Sequence, residues 1–131
     1  MLPSWLTRFL TALLLLLLLD AVWLTANAPA SRRLIAGIQG SPLEIRWIPA
    51  AIVYLLIAAG VVAFAVMPPV ESILEATGRG ALLGLAIYGV YDLTNLATLT
   101  KYTVSYALAD IVWGTFLCGT TAAATYWITL P

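Results

Sequence analysis

Long apolar runs, broken by short clusters of Pro, Gly and charge, make up nearly all of this chain. A helix needs about 20 mostly apolar residues to cross a hydrocarbon core of about 30 Å. Four stretches meet that requirement, at about 5–28, 49–67, 80–99 and 103–130. None shows the two-residue alternation of a barrel strand, and in lipid every backbone N–H and C=O must find an internal partner, so all four are read as helices. Little chain is left between them. Residues 1–131 are therefore read as a single four-span domain, an all-α integral membrane bundle of four helices running up and down.

The breaks between the runs carry their own signals. Ser41, Pro42 and Glu44 form a capping box with Pro at the first helical position, which predicts a helix starting there. Pro49 would then crowd the carbonyl of Ile45 and kink that helix. Pro68 and Pro69 end the second span, and Ser72 with Glu75 offers a capping box for a short separate turn ahead of Gly78 and Gly80. Lys101 and Tyr102 mark a tight last turn. The first span has the layout of a secretion signal, with Arg8, the run Leu13 to Leu19 and the small residues Ala26 to Ala28. Pro29 disfavours a cut at that point, and Asp20 and Trp23 do not suit a discarded segment, so the span is read as retained.

Composition changes this picture only by exclusion. Apolar residues make up 63% and charged residues 9%, with a mean hydropathy of +1.01, against roughly 25% charged in an ordinary soluble domain. A soluble fold is excluded. Six Lys and Arg balance six Asp and Glu, leaving no basic field for nucleic acid. No His and one cysteine, Cys118, exclude disulfide frameworks, zinc, haem and iron–sulfur clusters. Cys118 falls in mid-span and is read as a small buried hydrophobe. Trp5 and Trp127, near span ends, are read as interfacial anchors. Arg32, Arg33, Arg46 and Lys101 fall on the side of the first and third connections, against Arg8 and Arg79 on the other. That count places both termini outside.

Three acids stand apart from the rest. Glu44, Glu71 and Glu75 lie in connections, whereas Asp20, Asp92 and Asp110 lie inside spans, where a charge costs about 2.5–3.5 kcal/mol and marks a functional-site hypothesis. Counting residues to the span ends at about 1.5 Å each puts all three about 12–14 Å below one membrane face. Residues three, four and seven apart share a helix face. Asp20 is joined in this way by Trp23 and Asn27. Tyr88, Asp92 and Asn95 line up on the third span, with Tyr91, Thr94 and Thr98 beside them. Tyr106, Asp110, Trp113, Gly114 and Thr121 form a stripe on the fourth. Gly80 and Gly84 precede Tyr88 at four-residue steps and permit close helix contact. The second span supplies only Tyr54 and is read as a lipid-facing buttress. The pattern Asp, any residue, Val, Trp occurs twice, at Asp20 and at Asp110, but two short matches in so apolar a chain do not establish a repeat.

LDAVWL at Leu19 to Leu24, YDLTNLATL at Tyr91 to Leu99 and DIVWG at Asp110 to Gly114 resemble, in order and spacing, the small bacterial predicted membrane proteins grouped as domain-of-unknown-function family two-one-seven-seven. The resemblance runs over nearly the whole chain. Members usually carry Trp-Pro after the central motif, where this chain has Lys101, Tyr102 and Thr103. The resemblance implies a multi-pass protein of the bacterial inner membrane and brings no activity with it.

Function is read from the acids. Without an intramembrane Lys or Arg to pair with, three carboxyls must share protons, hold a cation or face water. Helix-to-helix hydrogen bonds in membranes average about 0.6 kcal/mol, and an amide or hydroxyl would supply them without a charge. The preferred reading is a pocket for a small ligand, cation or lipid headgroup. Asp92 and Asp110 are its leading pair and Asp20 the third acid; Asn95 orients and Trp23 and Trp113 form the walls. Two alternatives stand beside it. One is a lipid-modifying enzyme in which Asp92, Asp110 and Asp20 hold Mg²⁺ or Mn²⁺. The other is a structural or transporter subunit of a larger membrane complex, its aspartates packing helices or relaying protons or cations. The expected partners are membrane lipids, with a homo-oligomer or larger complex as the candidate assembly.

Overall fold

The computed structural model describes residues 3–67 and 69–130. Four helices follow one another: α1 (Ser4–Gln39), α2 (Trp47–Val61), α3 (Ile73–Thr98) and α4 (Val104–Ile128). The last turn of α2 widens into a π-helical turn over Val62–Val66. Each helix is long and apolar enough to cross a membrane, counting α2 together with its π turn. Their outer faces expose Leu14, Leu18, Val22, Leu56, Phe64, Leu82, Val90, Val112 and Phe116. Such a surface suits lipid and not water. Trp5, Trp47 and Trp127 are exposed near helix ends, as membrane-interface anchors are.

Neighbouring helices run in opposite directions. Asp20 meets Tyr54 while Arg8 meets Met67, so α1 and α2 are antiparallel. Asp20 meets Trp113 while Ser31 meets Tyr106, so α1 and α4 are antiparallel too. The tightest seam joins α3 to α4. A Cβ on Gly80 would stand 2.5 Å from the Cys118 carbonyl oxygen, and one on Gly84 would strike the backbone of Gly114. The two glycines thus bring the backbones together as the sequence predicts, with Cys118 wholly buried between them.

Helix ends depart from the sequence reading in three places. First, α1 does not stop near Ala28 but runs through Pro29 to Gln39. Pro29 removes one backbone donor, yet side chains knit the flanking turns: Asn27 Nδ2 donates to the Trp23 carbonyl at 3.1 Å and Ser31 Oγ to the Asn27 carbonyl at 3.1 Å. The helix ends where Gly40 adopts φ 74°, a left-handed cap, its N–H bonded to the Ala36 carbonyl. Lys101 Nζ reaches from the α3–α4 turn to the Gly37 carbonyl at 2.8 Å, placing a cation where the helix dipole is negative.

Second, no helix starts at Ser41. Residues 42–46 form no regular element, and the Gln39 side chain holds the carbonyls of Ser41 and Pro42 at 3.1 and 2.8 Å. Because α2 begins at Trp47, Pro49 sits in its first turn, where no intrahelical donor is needed, and the expected kink has no cause. Third, Ser72 and Glu75 cap α3 itself, which starts at Ile73 and not near Gly80. Ser72 Oγ accepts the Glu75 N–H at 3.1 Å, and Glu75 Oε2 accepts the Glu71 N–H at 2.9 Å. Pro68, read as part of the end of the second span, lies outside the described residues.

The packed core fills the half of the bundle nearer the N-terminus of α1. Ala12 and Leu16 of α1, Ile57, Ala58 and Val61 of α2, and Leu117, Cys118 and Ala122 of α4 form one apolar cluster. Asp20 lies one helical turn beyond Leu16, so the polar groups begin where this plug ends.

Candidate functional site

Two Asp–Trp motifs, three residues apart on separate helices, meet across the α1–α4 interface. Because these helices are antiparallel, each Trp lies opposite the acid of the other motif. Trp113 Nε1 donates to Asp20 Oδ1 at 2.8 Å, and Trp23 Nε1 donates to Asp110 Oδ1 at 3.2 Å. The indole rings stack between the two bonds, with centroids 4.9 Å apart and planes 4° from parallel. Gly114, next to Trp113, makes room for Tyr88, since a Cβ there would overlap the Tyr88 ring.

The three acids differ in how fully they are bonded. Asp20, 6% exposed, has both oxygens engaged, because Tyr54 donates its hydroxyl to Oδ2 at 2.5 Å. Asp92 is wholly buried; Oδ1 accepts the Tyr102 hydroxyl at 2.5 Å, while Oδ2 is enclosed with no partner among the described residues. Burial, with the Asp92 carboxylate beside it, pushes the Tyr102 phenol above its ordinary range, so this turn residue stays a protonated donor. Asp110 is only partly buried. Its Oδ1 is held by Trp23, and no protein donor among the described residues reaches Oδ2.

Above the apolar plug opens a cavity of about 200 Å³ lined by Asp20, Trp23, Leu24, Ile35, Tyr88, Tyr91, Tyr102, Tyr106 and Asp110. A cavity of about 150 Å³ admits benzene, so this one has room for a small organic group. No Lys or Arg lies on its lining. Ser31 Oγ and the hydroxyl of Tyr106, a lining residue, are 2.9 Å apart and tie the C-terminal half of α1 to α4.

Of the residues singled out in the sequence, Asp20, Trp23, Tyr88, Tyr91 and Asp110 line this cavity. Trp113 and Gly114 support it from behind. Asp92 is off the lining and reaches it only through Tyr102, with Asn95 beside the same hydroxyl. Thr94 does not join them. It lies two residues from Asp92, on the outer face of α3, in a groove with Leu85, Val90, Leu93 and Ile111. The three carboxylates do not gather at one point, and among the described residues no group of three metal-ligating side chains is placed to hold an ion. Asp20 and Asp110 are linked through the stacked indoles, whereas Asp92 is bonded to Tyr102.

Tyr106, on the sequence-derived stripe of the fourth span, also lines the cavity, whereas Tyr54, Tyr102 and Ile35 were not among the expected pocket residues. Tyr54 was the one hydroxyl in a wholly apolar span, which was its signal; it makes α2 part of the polar cluster and not merely a buttress. Ile35 had none, because the first helix was expected to end before it.

The sequence model of one protein family, described as predicted membrane protein (DUF2177), matches residues 5–127. No curated protein and no solved structure matches the chain.

Proposed function

We propose that this chain, which belongs to the DUF2177 family of predicted membrane proteins, uses its intramembrane cavity to bind the cationic head of a small ligand, an organic ammonium. The observation that carries this reading is the cavity lining: two carboxylates, five aromatic rings and no Lys or Arg, with Asp110 Oδ2 left without a protein donor. A carboxylate this deep is costly unless something pairs with it, and the cavity lining supplies nothing of opposite charge. Aromatic rings around a cation add about 0.5–2 kcal/mol each, and Trp is the strongest of them. In this reading Asp110 is the ligand-facing acid. Trp23 fixes its orientation, and Tyr88, Tyr91, Tyr102 and Tyr106 form the cage.

Binding is favoured over transport because the apolar plug of Leu16, Ile57, Val61 and Leu117 fills the bundle below Asp20. A second role is favoured for one acid. With both oxygens bonded to neighbouring helices, Asp20 acts as a helix-packing group. We place the protein in a bacterial cytoplasmic membrane with both termini outside, since Arg32, Arg33, Arg46 and Lys101 gather at the opposite end.

Thermal unfolding in nanodiscs of phosphatidylglycerol, a lipid without an amine, tests the reading. Tetramethylammonium should raise the melting temperature of the wild type and leave Asp110→Asn unmoved, because a ligand held by the folded state stabilises it. Equal behaviour of the two proteins would refute it.

A further inference from the structure

A second cavity meets the first at Asp110. It is an apolar groove of about 510 Å³ between α2 and α3, lined by Val53, Leu56, Ile57 and Ile87 together with Tyr88, Tyr91 and Asp110. Tyr88, Tyr91 and Asp110 thus line both spaces. The groove exists because α2 packs mainly on α1 and touches α3 little, so α4 is reached through the gap. Val53, Leu56 and Tyr91 are each more than half exposed on the lipid-facing surface. The gap therefore opens sideways, toward hydrocarbon, at the depth of the acid.

We infer that the ligand is a membrane-resident amphiphile with an ammonium head and a hydrocarbon chain, which enters sideways between α2 and α3. The head sits against Asp110 and the chain lies along Val53, Leu56 and Ile87. This inference rests on the ammonium-binding reading and adds the chain and the route.

Two arguments favour this occupant over a water-borne amine. A hydrocarbon chain alone would fill the groove but would bring methylenes against a carboxylate, the least favourable neighbour for a charge. A small soluble ammonium would satisfy Asp110 but leave the groove to be filled separately. One molecule carrying both parts meets both surfaces, and its chain stays in the bilayer throughout. Apart from Tyr88, Tyr91 and Asp110 the groove lining has no hydroxyl, amide or charge, so it offers one carboxylate for a head and an apolar wall for a chain.

Photolabelling in phosphatidylglycerol nanodiscs tests this, with a dodecyltrimethylammonium probe carrying a diazirine at mid-chain. The account expects label concentrated on the wild-type peptides spanning 51–61 and 83–91. Tetramethylammonium should compete it away, and Leu56→Trp, which fills an exposed part of the groove, should lower it at least tenfold. Val53→Trp gives an independent obstruction from the same wall. Both Trp variants should keep the melting-temperature rise with tetramethylammonium, which shows that the cage is intact. Label spread evenly over the lipid-facing helices, or unchanged by the Trp variants, would overturn the sideways route while the ammonium site stands. Absence of any tetramethylammonium effect on wild-type melting would instead remove the ammonium site, and the inference with it.

Discussion

Trp113 of α4 and Asp20 of α1 are joined by an indole hydrogen bond of 2.8 Å, and the same pair of residue types, Trp23 and Asp110, makes the reverse connection at 3.2 Å. The two bonds are not equivalent. Both acids line the cavity, but Asp20 is 6% exposed with both oxygens bonded, whereas Asp110 has only Oδ1 bonded among the described residues.

Trp113→Phe keeps the ring stack but removes the one donor to Asp20 Oδ1 found among the described residues. It should cost about 1–2 kcal/mol of stability, the scale of a buried acceptor left unsatisfied. Trp23→Phe, which frees the less buried acid, should cost less. Unfolding of both variants in mixed micelles checks the order, and an equal or reversed loss would contradict the division of roles between the two acids.

Two glycines of α3, Gly84 in the α3–α4 seam and Gly78 outside it, carry predictions of opposite sign. Gly84→Ala places a methyl against the Gly114 backbone and should force the helices apart, at a cost of about 1–3 kcal/mol. Gly78→Ala meets nothing within 4 Å, and should be neutral or stabilising by up to about 1 kcal/mol through helix propensity. Paired melting curves of the two variants decide it.

Tyr102 links stability to pH. Its phenol is raised above the value of about 10 that it takes in the unfolded chain. The folded state therefore holds that proton more tightly, so its stabilising effect is complete below about pH 10 and is lost as pH rises beyond it. The stability difference between wild type and Tyr102→Phe should stay constant from neutral pH to about pH 9 and shrink above pH 10. A difference that grows in alkali would contradict the buried hydroxyl pairing with Asp92.

Orientation can be read from cysteines placed at Glu71 and Ser41, against a native Cys118 that is wholly buried. With both termini outside, Glu71→Cys should react with an impermeant thiol reagent on intact cells, and Ser41→Cys only after permeabilisation. The reverse pattern would invert the protein.

Much of this was legible in the chain because lipid leaves few choices. A run such as Leu13 to Leu19 admits only a helix, and Asp20 stands out against it. The close approach of α3 and α4 was readable from Gly80 and Gly84, since glycine four residues apart leaves one helix face bare. The helix ends were less so. Pro29 is a strong stop signal by itself, and its tolerance depends on side-chain bonds from Asn27 and Ser31 that only the folded geometry reveals. The twice-repeated Asp–Trp pattern was visible, but its meaning was not. Reciprocal pairing needs the two helices to be antiparallel and in one register, and no spacing within either motif states that. Tyr54 and Tyr102 were missed because a single hydroxyl in an apolar helix or a turn looks like packing until its partner acid is known.

Isothermal titration of tetramethylammonium into the wild-type protein and Asp110→Asn, each in phosphatidylglycerol nanodiscs, tests the ammonium site most directly. The account predicts saturable binding at one site per chain in the wild type, weakened at least tenfold in the variant. No saturable heat, or the same isotherm for both proteins, would contradict it.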